Sequence, residues 1–384
     1  MWRSNLLTRW AFAGLLGAVP MGAQEVPFDS QTAVQVNLAN DSPVTLLSYA
    51  LGESRATARG AALVLDLHMS LTLRNSSTNR VRGVVLSVIS QEVAVGGKAS
   101  VSVPSLNVGP GEAFPVRIDL QLMRPTQVMA NPLVKVELDG VLFQNLSFFG
   151  PDKLHSQRTL TAWEMEAQRD RDHFKRVLTQ AGQAGLRQAL LEVQAREEDR
   201  PQLDVRLLRR RSLSGAGAAV AGLHNEQFAF VKFPDAPVEP LDGWAELANN
   251  MARSAHIEVH NRSAKPVKYV ELGWLVSDED QQYMAASVPP SGPELLLRPN
   301  ETARVDQDTE LVFSRKGRPV NIQKMTGFVS QVEFRDGTVW VPTRQNLESA
   351  SLLRVLAPSP EEQRVYDLYL KKGLQAVMDE LKKY

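Results

Sequence analysis

Leu71-Thr72-Leu73-Arg74-Asn75-Ser76-Ser77, followed by Val81, Val84 and Leu86, returns without a gap as Ile257-Glu258-Val259-His260-Asn261-Arg262-Ser263, followed by Val267, Val270 and Leu272. Each stretch alternates apolar with polar residues, passes through an asparagine turn and resumes with β-branched residues, the pattern of a hairpin. The match extends outward. Val108-Gly109-Pro110-Gly111-Glu112 pairs with Leu297-Arg298-Pro299-Asn300-Glu301, and Val136-Glu137-Leu138-Asp139-Gly140 pairs with Val332-Glu333-Phe334-Arg335-Asp336-Gly337. Gly185-Leu186, Ala189-Leu190 and Val193 align with Gly373-Leu374, Val377-Met378 and Leu381. Two copies of one strand-rich unit, each closed by a helix, account for nearly the whole chain. The expected fold class is mainly β with helices: two tandem antiparallel β-sandwiches, each followed by an amphipathic helical segment.

Within the first copy, residues 62–73 and 81–89 read as strands joined by a polar turn, and 101–108, 114–122 and 134–143 follow. Asp139-Gly140 is a dipeptide that suits the positive φ angles of a tight hairpin turn, so the last strand is expected to bend there. Residues 161–194 read as helical. Thr161 with Glu164 offers a capping box, Phe174, Val177, Leu178 and Ala181 fall at helical spacing, and the glycines at 182 and 185 break the run in two. In the second copy Ser359-Pro360-Glu361-Glu362 places a capping serine, a first-turn proline and a capping glutamate at one helix start. Val365, Leu368, Leu374, Val377, Met378 and Leu381 then form a stripe expected to lie on its own sandwich.

Of 384 residues, 43% are hydrophobic and 22% charged, the profile of a chain with sizeable cores. Forty-three basic and 43 acidic side chains cancel, so no net field draws the chain to nucleic acid or to an anionic membrane. Arg3 and Arg9 precede an apolar run from Trp10 to Met21 and small residues Gly22-Ala23, the order of a secretory signal cleaved after Ala23. The run is shorter than the roughly 20 residues that span a bilayer, so no membrane span is expected in the mature chain. There is no cysteine. An exported protein without disulfides holds together by burial alone, and a bacterial periplasmic or secreted location fits best.

The asparagine turn, the Val-x-x-Val-x-Leu strand, the acidic turn Ser277-Asp278-Glu279-Asp280 and the Leu-x-Pro-Asn-Glu turn together resemble the FxLYD-type immunoglobulin-like domains of exported bacterial proteins. Trp274-Leu275-Val276-Ser277-Asp278 stands where that family carries its aromatic-Leu-Tyr-Asp run. The resemblance implies immunoglobulin-like sandwiches with an accessory binding role and supplies no catalytic residues.

Several fragments invite chemistry. His256, Glu258 and His260 alternate on one strand face, where the two histidines stand roughly 13 Å apart and cannot share an ion, so only His256 with Glu258, or Glu258 with His260, could bind metal. A solvated polar face is the competing reading. Gly215-x-Gly217 with Gly222 and Asp235 sketches a dinucleotide turn, but Val220 replaces its third glycine and no βαβ context follows, so no cofactor is expected. Asp278-Glu279-Asp280 and Asp306-x-Asp308 lack the ligand spacing of a calcium loop. Asn75, Asn145, Asn261 and Asn300 sit in glycosylation sequons that also suit turns. Trp274 and Trp340 are candidates for binding a glycan or peptide, with a core role as the alternative.

The expected boundaries are a signal peptide over 1–23, a first β-sandwich over 24–155, a helical segment over 156–211, a linker over 212–224, a second β-sandwich over 225–345 and a C-terminal helix over 346–384. The function expected is an exported, non-enzymatic binding or structural module of the cell envelope, meeting a protein or glycan through sandwich edges or loops. Accessory domains of an enzyme, a cryptic hydrolase and an envelope-assembly or chaperone-like factor are the alternatives.

Overall fold

The computed structural model describes residues 24–26, 32–91, 96–126, 132–209, 223–278, 282–288, 295–307 and 309–384, and the signal segment 1–23 lies outside them. So do residues 212–222 of the expected linker, whereas His224 already opens a strand. The chain is mainly β, with several sheets and few helices. Among the described residues no helix is long and apolar enough to cross a membrane.

The chain divides into two compact units that do not follow the repeat boundary. The first holds the described residues up to Thr78 with Val85–Ser102 and Val108–Asp139. The second holds Asn79–Val84, Val103–Asn107 and Gly140–Tyr384.

In the first unit the 14-residue strand Ala62–Asn75 runs through the middle of one sheet. Leu63, Leu65, Leu67, Met69, Leu71 and Leu73 point inward and are buried, as period two requires. One edge pairs throughout with Ala113–Pro125; the other pairs first with Arg55–Arg59 and then with Val44–Leu51. In a second sheet Val34–Asn37 lies parallel to Val134–Phe143.

The second repeat reproduces this plan. Met251–Asn261 is flanked on one edge by Val238–Ala248 and on the other by Thr302–Gln307 and Thr309–Arg315. Ala229–Val231 lies parallel to Lys324–Phe334, as Val34–Asn37 does beside Val134–Phe143. Asp204–Arg209, inside the span expected to be helical, is a strand paired with Thr309–Arg315.

The duplication reaches individual hydrogen bonds. Asn75 is fully buried; its Oδ1 accepts from Ser77 N and Oγ at 3.0 and 2.7 Å, and its Nδ2 donates to Val108 O at 3.0 Å. Asn261, equally buried, accepts from Ser263 N and Oγ at 3.0 and 2.7 Å and donates to Leu297 O at 3.0 Å. The backbone agrees: Asn75 N donates to Glu112 O and Asn261 N to Glu301 O, while Ser76 N donates to Pro43 O and Arg262 N to Pro237 O. Gly111 and Asn300 both adopt positive φ. Each asparagine thus ties a strand end to the turn that opens the next strand, and neither is accessible to glycosylation.

One sequence match is displaced. Asp139 and Gly140 do not form a turn; they lie inside the continuous strand Val134–Phe143, where a Cβ on Gly140 would fall 2.2 Å from Phe148 Cζ. The counterpart of the Asp336-Gly337 turn is Asn145-Leu146. Asn145 Oδ1 accepts from Ser147 N and Oγ as Asp336 Oδ1 does from Thr338 N and Oγ1, and Leu146 and Gly337 both have positive φ.

Helix α1 spans Ser156–Asp199, α2 Arg344–Ser349 and α3 Pro360–Leu381. Helix α1 begins five residues before Thr161, so Thr161 and Glu164 are interior and buried instead of forming a cap. Gly182 (φ 64°) breaks α1 and Gly373 (φ 80°) breaks α3, and Gly185 stays helical. The expected box at α3 is present: Ser359 Oγ accepts from Glu362 N at 3.1 Å and Glu362 Oε2 from Ser359 N at 2.9 Å. The stripe of α3 does not lie on its own sandwich. Val365, Val377 and Leu381 share one core with Phe174, Leu186, Leu190 and Val193 of α1, because each broken helix presents two short apolar faces that a matching pair covers best.

Asn75→Ala and Asn261→Ala should each cost about 2–3 kcal/mol, since either leaves a buried carbonyl without its donor. Urea unfolding measures this, and an unchanged midpoint would remove the latch role. Leu381→Ala should cost on the order of 2–4 kcal/mol by opening the shared helical core, read from the same curves.

Candidate functional site

Helix α2 is started by Thr343, whose Oγ1 accepts from Asn346 N at 3.2 Å, and held by Asn346 Nδ2 donating to Asp235 Oδ1 at 2.6 Å. Trp340 Nε1 reaches the other oxygen of Asp235 at 3.4 Å. Asp235 therefore anchors a helix. A short 3-10 turn, Leu352–Arg354, leads on to α3, and Leu347, Leu352 and Val355 bury themselves against Phe233, Leu275 and Phe328.

This segment and the last three turns of α1 bound a cleft of about 470 Å³, within the size range of small-molecule sites. Ala189, Glu192, Val193, Arg196, Asp199 and Arg200 face it from α1 at helical spacing; Arg344, Glu348, Leu353 and Arg354 face it from the other segment. Phe174 and Val193 supply an apolar floor, and His173 stands beside it. Burial, reinforced by the nearby charge of Arg344, lowers the pKa of His173 and favours its neutral ring at pH 7.

The deepest charges in the cleft are mutually neutralised. Glu362 Oε1 accepts from Arg196 Nη2 at 2.5 Å and from Arg344 Nη1 at 2.7 Å, while its Oε2 caps α3. Arg344 also donates to Glu348 at 3.1 Å and lies 3.6 Å from Asp170, whose two oxygens receive Arg169 at 3.0 and 3.1 Å. A second ladder runs behind it. Arg171 bridges Glu164 and Glu361, Arg364 holds Glu361 with a two-pronged pair at 2.8 and 2.9 Å, and Arg82 stands 3.6 Å from Glu164. The ring of Tyr384 covers Arg82 and Arg171 at 4.4 and 4.2 Å.

At the rim the pairing is looser. Among the described residues Arg354 is exposed and makes no ion pair, Arg200 pairs only with Glu197 at 3.7 Å, Glu192 accepts one long amide bond from Gln188 at 3.3 Å, and Asp199 makes no ion pair. Among the described residues no serine, threonine, cysteine or lysine lines the cleft; its polar side chains are arginines, carboxylates and His173.

The residues singled out from sequence lie elsewhere. His256, Glu258 and His260 do alternate on one face of Met251–Asn261, with Ile257 and Val259 buried between them. His256 Nδ1 meets Arg304 Nη2 at 2.6 Å, and His260 Nδ1 meets Thr302 Oγ1 at 3.0 Å. No group of three metal-binding side chains converges among the described residues. Trp274 is wholly buried, 4.6 Å from the ring of Phe228, and Trp340 is half-buried on Asp235. Another half-buried indole, Trp244, lies 4.4 Å from the ring of His256 in a tilted contact. Gly215, Gly217, Glu279, Asp280 and Asp308 lie outside the described residues; Asp278 accepts from Tyr283 Oη at 2.9 Å. The four cleft arginines went unnoticed in sequence because 144 positions separate Arg200 from Arg344.

No family model matches the chain, and no curated protein matches it. Among solved structures, red sea bream transglutaminase aligns at 10% identity over 78% of this chain and 31% of its own length, with a TM-score of 0.13. The chain thus spans about a third of that enzyme. An allantoicase aligns at 6% identity over 73% of this chain and 89% of its own, with a TM-score of 0.08. Likeness at these scores carries no argument about fold or activity.

Glu166, on α1 between Arg169, Asp170 and Glu271, has its pKa pushed up from 4.5 to about 7, chiefly by burial. A carboxyl that binds its proton more tightly when folded adds stability that is complete below about pH 4.5 and lost as pH rises through about 7. Glu166→Gln should therefore leave the melting temperature at pH 5 unchanged and raise stability at pH 8.5 by about 1–3 kcal/mol. Equal effects at both pH values would refute the assignment.

Proposed function

We propose that this chain is an exported, non-enzymatic binding module of the bacterial cell envelope, carried on two immunoglobulin-like sandwiches of the FxLYD-like kind. The observation that carries the reading is the cleft: an apolar floor, a neutralised charged base and a rim of loosely paired arginines and carboxylates. Such a site spends its charges on recognition. Export is supported by the basic, apolar and small segments of the first 23 residues. The repeated sheet order supports a sandwich, since both repeats place a long central strand between the same kinds of neighbours. The ligand is protein- or glycan-derived material of the envelope, met at this cleft.

The full chain expressed in a bacterial host should be recovered outside the cytoplasm with a mature N-terminus near Gln24. N-terminal sequencing decides this, and intact Met1 on cytoplasmic material overturns export. Envelope material retained by the wild-type chain should be lost with Arg354→Glu, an exposed change that spares the fold; equal retention by both removes the cleft from the reading.

A further inference from the structure

We infer that the cleft binds a short peptide with free ends, about three or four residues long, carrying an apolar side chain in its middle. This rests on the reading of the cleft as the binding site and names its ligand class.

The innermost charges of the cleft are already committed. Arg196 and Arg344 share Glu362, and Arg344 also engages Glu348, so these guanidiniums are balanced by the protein's own carboxylates. The weakly paired charges are of both signs: Arg200 and Arg354 are cationic, Glu192 and Asp199 anionic. A simple anion would leave the two acids unanswered, and a simple cation the two arginines. A zwitterion answers both.

Length follows from the helix. Glu192 on α1 and Arg200, which caps the end of that helix, face the cleft eight residues apart, a backbone separation of about 12 Å at 1.5 Å per residue. An extended chain advances about 3.3 Å per residue, so three or four residues carry an ammonium at Glu192 to a carboxylate at Arg200 and Arg354, whereas one amino acid does not. The C-terminal end of α1 bears partial negative charge and Asp199 adjoins it, so the guanidinium of Arg200, joined by that of Arg354 from the other wall, supplies the balancing charge. Between the ends lie Phe174, Val193 and Leu353, a surface for an apolar central side chain.

Titration calorimetry of the full chain with Ala-Leu-Ala tests the proposal. Saturable one-to-one binding is expected. Amidating the C-terminus or acetylating the N-terminus should each weaken it about tenfold or more, the scale of one charge-assisted contact, and free leucine should bind at least that much more weakly. Arg354→Gln should reduce discrimination against the amide, because Arg200 alone then holds the carboxylate, and Glu192→Gln should abolish discrimination against the acetyl group; both sites are exposed, and unchanged melting temperatures verify folding. Absence of saturation up to about 10 mM, equal binding of capped and free peptides, or undiminished discrimination in the variants would overturn the proposal. If the peptides fail while Arg354→Glu still loses its envelope partner, the ligand class falls and the binding reading stands; if the partner is also retained, both fall.

Discussion

Glu362 is the carboxylate on which the helical layer of the second unit depends. One oxygen caps α3 through Ser359 N, and the other receives Arg196 from α1 and Arg344 from α2. Three helices therefore meet at a single side chain that is only 3% exposed. Taking these ions from water costs several kcal/mol each, and only near-complete pairing recovers it. Remove the carboxylate and two guanidiniums remain buried without it, a loss on the order of 3–5 kcal/mol. The apolar core of α1 and α3 supplies attraction, but apolar contact is tolerant of sliding, and the ion pairs fix which turn faces which.

The choice of arginine follows from the same constraint. Arg82, Arg169, Arg171, Arg196, Arg344 and Arg364 occupy the buried ladders, whereas Lys371, Lys372, Lys382 and Lys383 stay outside. A planar guanidinium can address two acceptors at fixed geometry, as Arg364 does on Glu361, and sheds water more readily than an ammonium. In a chain without cysteine, these ladders constrain the packing where disulfides might otherwise do so.

Local features were legible in the sequence and long-range ones were not. Alternation through residues 62–73 named a strand because each inward position is apolar, and the observed strand exceeds that span by only two residues. Ser359 to Glu362 named a helix start because capping involves four consecutive residues. Asp139-Gly140 misled because a glycine can serve close approach as well as a turn, and Phe148, which requires that approach, lies eight residues further on. The partner of the α3 stripe was invisible for a related reason: an amphipathic face declares that it is covered, never by what. Pro237 and Pro43 went unmatched because the equivalence lies in which backbone carbonyl they present to Arg262 and Ser76. The site was the least legible part, since no local motif joins Arg196 and Arg200 to Arg344 and Arg354.

The two repeats also differ where it matters most. In the first, the short strand Phe148–Phe149 is followed almost at once by α1, which starts at Ser156. In the second, the equivalent strand Val339–Trp340 is followed by α2 and the 3-10 turn before α3 begins at Pro360. That inserted stretch supplies Arg344, Glu348, Leu353 and Arg354, the side of the cleft that faces α1. A chain made by repetition acquires a single site only where the repetition fails. The shared latch of Asn75 and Asn261 maintains the scaffold in both copies, and the unshared segment between strand and helix gives one copy its cleft.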